Sequence, residues 1–149
     1  MSKSHQLEYH QIAAAQIDKA VDCFTENTLK GYICATTLAG AAEEVLGKLL
    51  NYQRNIKSIL EETVIQILAN HQITEEHDDF KRLKKNFITI LNHPRDAYKH
   101  FNVGHCEKDF DPYLYAEMML NRAIINYSNL RNKITPKICL LYTSPSPRD

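Results

Sequence analysis

The sequence predicts an all-α protein, an up-and-down bundle of four to five helices. Two observations carry that expectation. Apolar residues recur at helical spacing, without the β-branched alternation of strands. The four glycines, at 31, 40, 47 and 104, and the prolines at 94, 112 and 136 leave long stretches uninterrupted. A chain of 149 residues suffices for one domain with one core.

The first helix is expected from Ser4 to Glu26. Leu7, Ile12, Ala13, Ile17, Ala20, Val21 and Phe24 form its apolar stripe, and Asn27-Thr28 and Gly31 punctuate its end. The second should cover Leu29 to Arg54, with Ala35, Ala39, Ala42, Leu46 and Leu49 as a seam small at one end. Gly40 and Gly47 lie on another face, with Glu43 and Glu44 between them. Glycine inside a helix costs about 1 kcal/mol against alanine, so each implies a close approach. Tight helix packing is one occupant of that face; a partner subunit or the helix carrying the motif below is the other.

A third helix is expected over Asn55–Asn70, with Ile56, Ile59, Leu60, Val64, Ile67 and Leu68 facing inward. Thr74-Glu75-Glu76-His77 offers a cap and an acidic first turn for a fourth, running to Leu91 and burying Phe80, Leu83, Phe87, Ile88 and Leu91. Asn92-His93-Pro94 interrupts it. Proline suits a first turn, so Asn92 or His93 should cap a short helix, Pro94 to Phe101. Asp111-Pro112 opens the last helix, running to Lys133 with Leu114, Met118, Leu120, Ala123, Ile124, Tyr127 and Leu130 inward.

The 18 basic and 18 acidic side chains cancel, so any nucleic-acid contact needs a local patch. No apolar run is long enough to span a membrane, and the N-terminus has no apolar leader. Cys23, Cys34, Cys106 and Cys139 are scattered without a CxxC pair, which fits reduced thiols in a cytoplasmic protein. The domain is expected over residues 1–138. The stretch 139–149, CLLYTSPSPRD, can be back-translated into a sequence that resembles the transposon-end adapter of shotgun sequencing, so it is expected to be non-native and outside the fold, with a natural Ser/Pro tail as the alternative.

The chemistry concentrates in Arg95-Asp96-Ala97-Tyr98-Lys99-His100. RNA carries its own nucleophile, the 2′-hydroxyl. Cutting requires that proton removed, the phosphorus charge stabilised and the leaving 5′-oxygen protonated. Histidine titrates near neutrality and can give or take a proton. Arginine is always charged and grips phosphate oxygens with a planar fork. Together they form a minimal kit for metal-free RNA cleavage. On a helix Asp96 and His100 share a face and could hydrogen-bond, orienting the ring. Arg95 and His100 are separated by about 140°, so a flexible arginine is needed to reach the same groove. A symmetric dimer would place two copies along one cleft. Lys81, Arg82, Lys84, Lys85, Arg95, Lys99 and Lys108 outweigh Asp96 and Glu107 nearby, and Lys99 is the candidate RNA contact.

These residues give the chain a resemblance to HEPN-domain proteins, small helical bundles with an R-x4–6-H motif near the start of a late helix. Arg95 and His100 match the motif's pair, and Asp96 its polar second position. Ala39-Gly40-Ala41-Ala42-Glu43-Glu44 is similar to the Ala-rich, acidic second helix of many members. The resemblance implies metal-independent RNA cleavage by a homodimer, often in toxin or defence systems with an antitoxin or regulatory partner. It equally admits members that have lost activity and serve as RNA-binding or interaction scaffolds. One subtype carries a tyrosine two residues after the histidine for nucleotide transfer; Asn102 stands there instead.

No cofactor or metal is expected. The Glu-x-x-His pairs of a metal bundle are absent, as are HExxH, phosphate-loop and dinucleotide motifs. His100, His105 and Cys106 lack a fourth ligand at zinc spacing. His71, His77 and His93 are expected to cap helices or face solvent.

Overall fold

A computed structural model describes residues 8–98, 111–131, 137 and 141. The described residues form six helices and no strand: α1 (Tyr9–Thr25), α2 (Leu29–Arg54), α3 (Ile59–Asn70), α4 (Phe80–Leu91), α5 (His93–Ala97) and α6 (Pro112–Arg131). This is one more than the four to five of the bundle count; the short helix expected after Asn92-His93-Pro94 is present as α5.

The boundaries follow local chemistry. At the start of α1, Glu8 and Gln11 make a reciprocal capping box that satisfies two orphan N–H groups. Asn27 adopts φ 54° after α1, the left-handed turn for which asparagine is suited. Gly31, expected to punctuate α1, lies in the first turn of α2 and donates its N–H to the Thr28 cap at 3.0 Å. Asn55, expected inside the third helix, ends α2 in the left-handed conformation at φ 53°. Ser58 then caps α3, its hydroxyl accepting from Glu61 N–H at 3.3 Å. The fourth helix begins at Phe80 rather than near Thr74. Residues 74–79 are held in turns instead: Thr74 and His77 carbonyls accept from His77 and Phe80 N–H at 2.9 Å each.

The main core lies where α2 packs against both α1 and α6. Ala35, Ala39, Ala42, Leu46 and Leu50 of α2 are fully buried against Ala13, Ile17 and Ala20 of α1 and Ala116, Met119 and Ala123 of α6. The alanines let three helices approach closely, and the seam turns to Leu50 rather than Leu49. Ile12 and Leu114, expected inside, are exposed, and Met119 takes the inward place expected of Met118.

A second cluster joins α3 to α4 through Leu60, Val64, Leu68 and Phe80. Leu83, Phe87, Ile88 and Leu91 of α4 are only half-buried there, and Ile56, before α3, is exposed. The two-helix cluster is too small to cover both faces of its own apolar residues. Asn126 of α6 ties it to the main core. Its side-chain carbonyl accepts from Ile59 N–H at 2.9 Å, and its amide donates to the Glu43 carbonyl at 3.4 Å. Gly47 permits this junction, since a Cβ there would lie 3.2 Å from Ser58 Cβ. Leu141, within the adapter-like stretch, packs at the edge of the main cluster. No described helix is long and apolar enough to cross a membrane.

Candidate functional site

The site is built on the break between α4 and α5. Pro94 lies in the first turn of α5, where its missing N–H leaves no ladder bond unmade. Asn92 stands at the cap position, as expected, but its side chain makes no capping bond. Arg122 of α6 takes it instead, donating through Nη2 to Asn92 Oδ1 at 2.7 Å. The same guanidinium donates through Nη1 to the Leu91 carbonyl at 2.7 Å and through Nη2 to Glu43 Oε1 at 2.8 Å. A cation at the C-terminal carbonyl of α4 is also favoured by the helix dipole. Glu43 and Asn92 are buried and Arg122 nearly so, so helices α2, α4 and α6 meet at one ion pair.

Arg95 projects from α5 across α2. A Cβ at Gly40 would come within 2.7 Å of Arg95 Cγ, so the absent side chain is the space the arginine stem occupies. The close approach expected at Gly40 is thus made by the motif helix. Arg95 Nε donates to Asp96 Oδ1 at 3.0 Å, and Nη1 lies 3.7 Å from Glu44 Oε2. The arginine side chain is 18% exposed, while Glu44 and Asp96 are 42% and 43% exposed. Glu44 is shared, accepting from Lys48 Nζ at 2.9 Å. The guanidinium is therefore fixed at its stem and at Nε. Its Nη1 pairs loosely with a carboxylate that water reaches.

Of the expected catalytic residues, Arg95 and Asp96 are brought together. Asp96 is engaged by the neighbouring guanidinium. His100, with the RNA-contact candidate Lys99, lies outside the described residues, as do His105, Cys106 and Lys108. His93, expected to cap or face solvent, is half-buried with its ring edge-on to Tyr115 at 6.0 Å. Tyr98 packs against the same ring at 6.2 Å. Burial of the Tyr98 hydroxyl, then the nearby Tyr115 and Asp111, pushes its pKa up. This phenol stays neutral and cannot serve as a base near pH 7.

Of the five described members of the expected basic patch, three are engaged: Arg95 as above, Arg82 with Asp79 at 2.8 Å and Lys84 with Glu61 at 3.0 Å. Lys81 and Lys85 face solvent. Among the described residues no group of three or more His, Cys, Asp or Glu could hold a metal ion.

Sequence reasoning missed Glu43, Asn92, Arg122 and Asn126 as one polar junction. A signal existed. Glu43 falls between Ala39 and Leu46 at seam spacing, and Asn126 falls three after Ala123 on the inward stripe of α6. Charged or amide residues on an apolar stripe require buried partners.

Comparison with known proteins finds no matching family model, no matching curated protein and no matching solved structure.

Proposed function

We propose that the chain is a HEPN-like, metal-independent endoribonuclease of the toxin or defence type, working as a homodimer. The observation that supports this reading is the setting of Arg95. Its stem rests on Gly40 and its Nε is held by Asp96, while Nη1 makes only a loose pair, at 3.7 Å, with Glu44. Glu44 is the competing anion, but a pair at 3.7 Å with water access is worth about 0–1 kcal/mol and yields readily.

In this reading His100 takes the proton from the 2′-hydroxyl, or passes one to the leaving 5′-oxygen. Its counterpart in the second copy does the other. The 2′-oxygen bonds to phosphorus, the P–O5′ bond breaks, and the products end in a 2′,3′-cyclic phosphate and a 5′-hydroxyl. Arg95 stabilises charge on the phosphoryl oxygens, which is usually the larger contribution. Asp96 orients Arg95, and Lys99 contacts the backbone. An antitoxin or other regulator would cover the cleft.

The rival reading, a non-catalytic interaction or RNA-binding scaffold, is favoured by the two carboxylates beside Arg95, since local negative charge opposes phosphate approach. Incubation of purified protein with labelled RNA in EDTA separates them. Cleavage lost in Arg95→Ala and His100→Ala supports the nuclease; a folded, inactive wild type supports the scaffold.

A further inference from the structure

We propose that Arg122 is a positioning residue: it locks the α4–α5 junction onto Glu43 and so keeps Arg95 seated over Gly40. The inference rests on the nuclease reading for its kinetic consequence, but not for its structural one.

Three acceptors from two chain segments, the α4–α5 junction and α2, converge on one guanidinium. They are the Leu91 carbonyl, Asn92 Oδ1 and Glu43 Oε1, all within 2.8 Å of Nη1 or Nη2. Leu91 and Asn92 are the last residue of α4 and the residue capping α5, so they set the angle at which α5 leaves. Glu43 lies on α2 beside Glu44 and within one turn of Gly40, so the same ion pair fixes α5 to the helix that carries the seat for Arg95. A planar fork reaches all three acceptors at once; an ammonium group cannot reproduce that geometry.

Stability alone does not account for the arrangement. Well-packed apolar residues commonly replace a buried ion pair without loss, whereas three hydrogen bonds to one planar fork are met together only in a narrow range of orientations. Among the described residues Arg122 Nε is buried without a partner, so the guanidinium is placed for its Nη groups at the expense of its Nε. Position matters here because a displacement of about 1 Å can cost about 100-fold in rate.

The test uses the full chain with Arg122→Lys, Asn92→Ala, the double variant, and Leu68→Ala as a control weakening the separate α3–α4 cluster. Two quantities are read: the NMR signal of Arg95 Nε–H, and kcat and KM for RNA cleavage in EDTA. We expect Arg122→Lys to shift the Arg95 Nε–H signal and to lower kcat/KM by up to about 100-fold. The double variant should be no worse than Arg122→Lys alone, because both remove the same bond. Leu68→Ala should leave the Arg95 signal in place. An unmoved Arg95 signal in folded Arg122→Lys overturns the proposal, as does the same shift in Leu68→Ala. If Arg122→Lys fails to fold, Asn92→Ala, which keeps the Glu43 pair, carries the same criteria. A wild type that cuts no RNA defeats the nuclease reading while the Arg95 signal still decides the positioning claim.

Discussion

Gly40 of α2 and Arg95 of α5 occupy one contact between them: the glycine supplies the surface and the arginine stem lies across it, with 2.7 Å between Arg95 Cγ and the place a Cβ would take. Gly40→Ala should therefore separate stability from function. Alanine is favoured over glycine in a helix by about 1 kcal/mol, but its Cβ would meet Arg95 near the stem, so the arginine must change rotamer at a cost that offsets that gain. Thermal unfolding should show no loss of stability. RNA cleavage should fall by up to about 100-fold, as expected for a misplaced phosphate-binding group.

Two consecutive glutamates should behave in opposite ways. Glu44→Gln removes an exposed anion that competes with phosphate at Arg95. RNA should bind up to about fivefold more tightly, with kcat and stability little changed, since such pairs are worth no more than about 1 kcal/mol. Glu43→Gln leaves Arg122 charged in a buried place without its counter-ion. Chemical denaturation should show a loss of about 3–5 kcal/mol.

Much of the fold was legible in the sequence, and the reason is periodicity. The seam Ala35, Ala39, Ala42, Leu46 placed α2 at the centre, and all four residues are fully buried. Pro94 and Asp111-Pro112 marked true helix starts, and the Asp111 carboxylate accepts from Leu114 N–H at 3.0 Å. Boundaries failed where a turn competed with a helix. Residues 74–79 carry no proline or glycine, and their turns show only in the three-dimensional hydrogen bonds, whereas Asn55 carries the weak stop signal of an asparagine after a helix. At the site, Arg95, Asp96 and the Gly40 approach were legible from local spacing. The Glu43–Arg122 pair was not, because its members are far apart in sequence and meet only when α2 and α6 pack.

Asn126→Ala should expose how α3 is attached to the core. The substitution strips the Ile59 N–H and the Glu43 carbonyl of a buried partner. Leaving such groups unmatched costs about 1–3 kcal/mol. In a domain of this size that lowers the melting temperature by roughly 2–4 °C for each kcal/mol. Amide exchange at Ile59 should accelerate with it.

Cys23 provides a pH-dependent probe of the α1–α2 contact. Its thiol is pushed up chiefly by burial, with a further rise from the nearby Cys34. In single-cysteine variants Cys23 should react with a thiol reagent more slowly than the half-buried Cys34. A raised folded-state pKa contributes stability that is intact below the ordinary thiol value of about 8.5 and is lost as pH climbs through the folded value. Unfolding followed from pH 7 upward should show stability falling on the alkaline side, and the fall should be smaller in Cys23→Ala.

In the proposed nuclease, Arg95 and His100 cut RNA through its own 2′-hydroxyl. The most direct test of that reading is an RNA oligonucleotide in EDTA, compared with the same strand carrying 2′-O-methyl groups throughout. Such a nuclease should cleave the unmodified strand to products ending in 2′,3′-cyclic phosphate and leave intact the methylated strand, which lacks the nucleophile. Equal cutting of both strands, or no cutting of either by a folded protein, would contradict that reading.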